Sequence, residues 1–106
     1  ARIDWALSAD RVACHVRGMD RIPGAWSELD GKPIKMFGPR PERADPAADA
    51  GMEPGAVLVA DPALGLRVAA GEGSVWIAEV QPPGRTRIPA NDWIRGRGVA
   101  GGQRFE

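Results

Sequence analysis

The chain has 106 residues, 14 basic and 14 acidic side chains and a formal net charge of zero. One domain with a modest core fits that length, and neutrality argues against a generic nucleic-acid binder, which is normally basic. A lone cysteine, Cys14, excludes an internal disulfide and suggests a reducing compartment.

Taken in chain order, Ser8–Asp20 reads as a short amphipathic helix. Ser8 can accept from the free N–H groups of the first turn. Ala9, Val12, Val16 and Met19 recur at spacings of three or four and share one face. Trp5 is an apolar anchor just before it. Gly18 or Asp20 ends the helix, and Pro23 prevents its return.

Residues 25–37, AWSELDGKPIKMF, read as a hairpin turned at Asp30-Gly31. Ile34 and Met36 take one face of its second strand, Lys35 and Phe37 the other. The stretch 38–53 holds three prolines, mixed charge and few large apolar residues, and is expected to be a surface loop. Strands are expected at 55–61, 66–70 and 74–81. In the last, Val75, Ile77 and Glu79 alternate with Trp76, Ala78 and Val80. Residues 88–96 read as a short helix with Pro89 in its first turn and Gly96 as its stop. Short strands with a helix near each end predict a mainly β fold, a small open barrel of the OB type.

Few residues carry chemistry. Cys14 and His15 are neighbours, so on a helix their side chains diverge by about 100° and cannot form a nucleophile pair. His15 is the only histidine, which leaves no ordinary zinc set. A helix-edge histidine is the plain reading of it. The sequence GEGS, 71–74, lacks the lysine and context of a phosphate loop and reads as a turn. The carboxylates are scattered. No catalytic, cofactor-binding or metal-binding residues are therefore assigned. No apolar run approaches the roughly 18 residues that span a bilayer, and no signal peptide is visible.

One asymmetry remains. Residues 80–104 hold Arg85, Arg87, Arg95, Arg97 and Arg104 against a single acid, Asp92. These arginines are either a solvated face balanced by Asp45, Asp49 and Glu53, or a substrate- or phosphate-facing patch.

The ordered segments RIDW (2–5), VRGMDRIPGAW (16–26), LDGKPIKMF (29–37), PGAVL (54–58), GEGSVWIAEVQPPGR (71–85) and ANDWIRGRGVAGGQRF (90–105) resemble the carboxy-terminal domain of the formyltransferase family. The resemblance spans nearly the whole chain apart from 38–53. The joint RGMDRIPGAW is similar to that of 10-formyltetrahydrofolate dehydrogenase hydrolase portions. VQPPGR and the ANDWIRG helix look more like the methionyl-tRNA branch, where a lysine commonly stands at the place of Arg85. The family's catalytic Asn, His and Asp belong to a preceding domain, and nothing here matches them. The resemblance thus implies that residues 1–106 are an accessory domain in the cytoplasm. Its partner is an upstream catalytic domain that uses 10-formyltetrahydrofolate, and no membrane is involved. Arg17 and Trp26 are expected at the interdomain contact, with the Trp26 ring packed under the barrel. tRNA is a candidate partner, but not the favoured one, because the neutral charge departs from the basic surface of tRNA-binding members.

Overall fold

The computed structural model describes residues 2–18, 25–43 and 53–106. Its elements are α1 (Ala9–Gly18), β1 (Ala25–Leu29), β2 (Lys32–Glu42), β3 (Val57–Asp61), β4 (Gly65–Ala69), β5 (Ser74–Gln81), β6 (Ile88–Pro89) and α2 (Ala90–Arg95). All strands are antiparallel in one open sheet of order β1-β2-β5-β4-β3, with β6 paired to β5. The fold is mainly β with a short helix near each end, as its turn chemistry predicted.

Local sequence explains most elements. Ser8 starts α1, its hydroxyl accepting from Arg11 N at 3.4 Å and its carbonyl from Val12 N at 2.9 Å. Ala9, Val12 and Val16 turn inward with Ala13. Met19 and Asp20, and the joint at Pro23 and Gly24, lie outside the described residues. Asp30 and Gly31 both adopt positive φ, 53° and 77°, as a two-residue turn matched to strand twist requires. Gly96 caps α2 through its N–H to Asp92 O at 3.0 Å. Ile88 and Pro89 form β6 instead of the helix's first turn.

Three further expectations are corrected. First, the expected loop from 38 begins as strand: β2 continues to Glu42, paired with β5 from Lys35↔Gln81 to Glu42↔Ser74. Pro39 and Pro41 offer no N–H, but β1 flanks β2 only over Lys32–Met36, so this half needs a ladder on one side alone. Second, the simple alternation of β5 fails. Val75 and Ile77 face inward, then Val80 does, while Ala78 is exposed. Opposite this slip stands Gly38 at φ 65°, and Pro39 and Pro41 take over from Ile34 and Met36 as the less exposed positions of β2. A left-handed residue there changes which face both strands turn inward. Third, Trp26 does not pack under the barrel. Ala25, Ser27 and Leu29 occupy the inner face of β1, so period-two geometry sends Trp26 outward, half-buried. The core tryptophans are Trp5 and Trp93.

The edges of β1 and β3 are bridged by the end of the chain. Val57 N donates to Gln103 O and Phe105 N to Gly55 O, each at 2.8 Å. Glu28 and Glu106 exchange main-chain bonds at 2.9 and 2.8 Å. On the same edge of β1, Ile3 N donates to Trp26 O at 2.8 Å. The core lies against the inner face of this sheet and takes in residues of both α1 and α2.

Candidate functional site

The arginines of residues 80–104 do not act as one cluster. Arg87 sits over Phe37, its guanidinium carbon 3.9 Å from the ring centroid, and donates to Glu79 Oε1 from Nε and Nη2 at 3.1 and 2.9 Å. Phe37 and Glu79 are opposite one another in the β2–β5 register, so the sheet itself builds this seat. It also explains why Phe37 is buried on an outward-facing position. Arg95 pairs with Asp92 one turn earlier at 2.9 Å. Arg104 approaches Glu53 at 3.3 Å and donates to Pro54 O at 3.2 Å. Three of the five charges are thus answered by carboxylates. Arg85 and Arg97 are exposed and make no side-chain bond to the described residues.

Arg85 instead joins residues from the hairpin. It lines a groove of about 450 Å³ with Asp30 and Lys32 at the rim and Ile34, Ile88 and Trp93 along the floor. Asp92 is held by Arg95, while Asp30 accepts only a neutral amide N–H from Gln103 at 3.2 Å and keeps its charge, so the groove sets Lys32 and Arg85 against Asp30. Lys32 was not singled out from the sequence. Its signal was there, a lysine following the Asp-Gly turn, but only the tertiary fold puts that turn beside residues 82–88.

A second groove of about 490 Å³ lies on the outer face, lined by Trp26, Pro33, Lys35 and Pro83. Pro83 borders both grooves. Arg2 stacks over Trp26 at 5.6 Å, at the start of the described chain. Arg17 is exposed in the last turn of α1, in neither groove. Cys14 is exposed. His15 is half-buried, and its Nε2 is buried without a hydrogen-bond partner among the described residues. No group of three His, Cys, Asp or Glu side chains suited to a metal occurs among the described residues. Nor is any described helix long and apolar enough to cross a membrane.

The profile of the formyl transferase C-terminal domain matches residues 1–98. The chain is 41% identical to methionyl-tRNA formyltransferase from Thiobacillus denitrificans over 99% of its own length and 33% of that protein. It is 43% identical to the enzyme of that name from Aromatoleum aromaticum over 100% of its length and 31% of that protein. A solved structure of a HypX variant from Aquifex aeolicus superposes with a TM-score of 0.67 at 24% identity, covering 94% of this chain and 18% of that one. That last likeness concerns the fold. The chain spans about a third of the length of the curated relatives it matches. On the profile match and these identities together, the chain belongs to the formyltransferase C-terminal domain family.

Proposed function

We propose that residues 1–106 act as one non-catalytic accessory domain of a folate-dependent formyltransferase or formyl hydrolase, supporting an upstream catalytic domain and helping to position the formyl acceptor. The observation that carries this reading is the mismatch of coverage: nearly all of this chain matches, against only a third of its relative. In such a protein the one-carbon unit comes from 10-formyltetrahydrofolate bound upstream. No transfer step is assigned to this chain. The exposed edge of Trp26 beside Arg2, and Arg17 at the end of α1, are the proposed contacts to the upstream domain.

A second reading is a tRNA-contacting module. It is favoured by the names of the relatives and by Lys32 and Arg85, two cations without carboxylate partners around one groove. Charge of that kind holds phosphates without reading sequence.

Incubating the purified chain with 10-formyltetrahydrofolate and methionyl-tRNA tests the accessory reading. No formyl transfer and no folate hydrolysis are expected. Turnover that scales with the amount of chain and survives His15→Ala would refute it.

A further inference from the structure

A buried tryptophan normally finds a partner for its indole N–H. Trp93 is 8% exposed, yet its Nε1 makes no hydrogen bond among the described residues and, unlike His15 Nε2, is not sealed from solvent. Trp5 and Trp76 differ: they donate to Ser27 Oγ and Glu42 Oε2, each at 2.9 Å.

The residues after α2 keep this donor open. Gly98 N donates back to Trp93 O at 2.9 Å, which folds the turn against the indole. A Cβ at Gly98 would collide with Trp93 Nε1, so any other residue there would cover it. Trp93, Gly96 and Gly98 all line the groove of about 450 Å³ that holds Arg85, and the N–H opens on its wall.

The rest of the groove is part apolar and part charged. Leu29, Ile34 and Ile88 form an apolar wall. At the rim Lys32 and Arg85 stand against Asp30, while Asp92 is held by Arg95. Two cations against one anion leave a net charge of one positive. A groove of that volume is the size of a small-molecule site. What complements it is a single negative charge, an oxygen to accept the indole N–H and a hydrocarbon body. A bare phosphate lacks the hydrocarbon, and a neutral ligand leaves the cations unanswered.

We propose that Trp93 Nε1, Lys32 and Arg85 form a binding site for a small amphipathic monocarboxylate. Its carboxylate accepts from the indole and faces the two cations, and its hydrocarbon part lies on Ile34 and Ile88. The site shares Lys32 and Arg85 with the tRNA-contacting reading but adds the indole and the apolar wall, and it requires neither a nucleic acid nor an upstream domain.

Titration of the isotope-labelled chain with hexanoate, followed through the indole N–H signals by NMR, tests the site. The Trp93 signal is identified by Trp93→Phe or, where that variant does not fold, by its contacts to the Gly98 α-protons. The Trp93 indole proton is expected to move downfield and saturate with a dissociation constant of about 1 mM, while those of Trp5 and Trp76, already bonded, stay in place. Hexylammonium, equal in length and opposite in charge, should bind at least about fivefold more weakly. Lys32→Gln with Arg85→Gln should weaken hexanoate by about three- to tenfold, and Asp30→Asn should tighten it by about two- to threefold. A Trp93 signal that does not move at about 20 mM hexanoate would mean that the N–H is only hydrated, and overturns the site. Equal binding of hexylammonium, or an unchanged constant in the double variant, overturns the part given to the cations. Inorganic phosphate that moves the Trp93 signal at the same concentrations as hexanoate overturns the amphipathic ligand.

Discussion

Trp5 donates its indole N–H to the Ser27 hydroxyl at 2.9 Å, across 22 positions of sequence. Ser27 has no exposed surface and donates its own O–H to the main-chain O of Glu106. A single hydroxyl therefore joins the entry to α1, the inner face of β1 and the end of the chain. Ser27→Ala leaves the buried Trp5 N–H without its acceptor and removes one of the two bonds to the Glu106 carbonyl, which keeps Glu28 N–H. Unfolding in denaturant, followed by tryptophan fluorescence, should show a loss of about 1–3 kcal/mol. A midpoint that stays at the wild-type value would show that the relay contributes nothing net.

Gly38 and Gly31 separate backbone strain from steric contact. Both have positive φ, 65° and 77°. A Cβ at Gly38 would sit 2.7 Å from the Cβ of Ala78, whereas one at Gly31 meets nothing within 4 Å. Gly38→Ala should therefore cost about 1 kcal/mol or more beyond Gly31→Ala. Pairing Gly38→Ala with Ala78→Gly should recover the difference. Equal losses for the two single variants would show that the slip in the β2–β5 ribbon has room to adjust.

Arg87 and Arg85 are two residues apart and should behave differently. Arg87 is stacked on Phe37 and bonded to Glu79, although the two charged side chains are 41% and 40% exposed, so solvent screens the pair. Arg87→Ala is expected to lower stability by about 0.5–1 kcal/mol, mostly by uncovering the ring. Arg85→Ala should stay within about 0.5 kcal/mol of wild type. Thermal melts of the two variants in low and high salt check this, with a small salt response expected for Arg87.

tRNA binding by the chain alone should be weak. Of the five arginines in residues 80–104, Arg87, Arg95 and Arg104 already face carboxylates, and the chain's 14 basic side chains are matched by 14 acidic ones. A dissociation constant above about 10 µM at physiological salt is expected, with a log–log salt slope shallower than about −3. Lys32→Glu with Arg85→Glu should weaken it further, and Arg95→Gln should not. Binding tighter than about 1 µM that is lost on Arg85→Glu would move the tRNA-contacting reading to first place.

The elements were legible because their causes are local. The Asp30-Gly31 turn, the apolar spacing of Ala9, Val12 and Val16, and the three strands over 55–81 each follow from neighbours within a few residues. Their predicted bounds lie close to those in the structure. The extension of β2 to Glu42 was not legible, because two prolines and few apolar residues argue for a loop until β5 is known to lie beside them on one edge. Trp26 was misplaced for a related reason. Its size suggested the core, but which face of β1 turns inward is set by Ser27 and its bonds to Trp5 and Glu106, residues remote in sequence.

The candidate site divides the same way. The sequence by itself determined the arginine-rich composition of residues 80–104, the scarcity of groups able to catalyse, and the order of motifs that marks the family. Only the tertiary structure decided which of those arginines are neutralised. Glu79 reaches Arg87 because the sheet turns both to one face, and Glu53 reaches Arg104 because the chain's end returns to β3. It also decided that Lys32 and Arg85 share a groove and that Phe105 completes the core between Trp5 and Trp93. Turns and helix faces are fixed by steric and hydrogen-bonding preferences over a few residues. Charge pairing and the bridging of the sheet's open edges depend on distances between segments up to 79 positions apart, which only the folded chain sets.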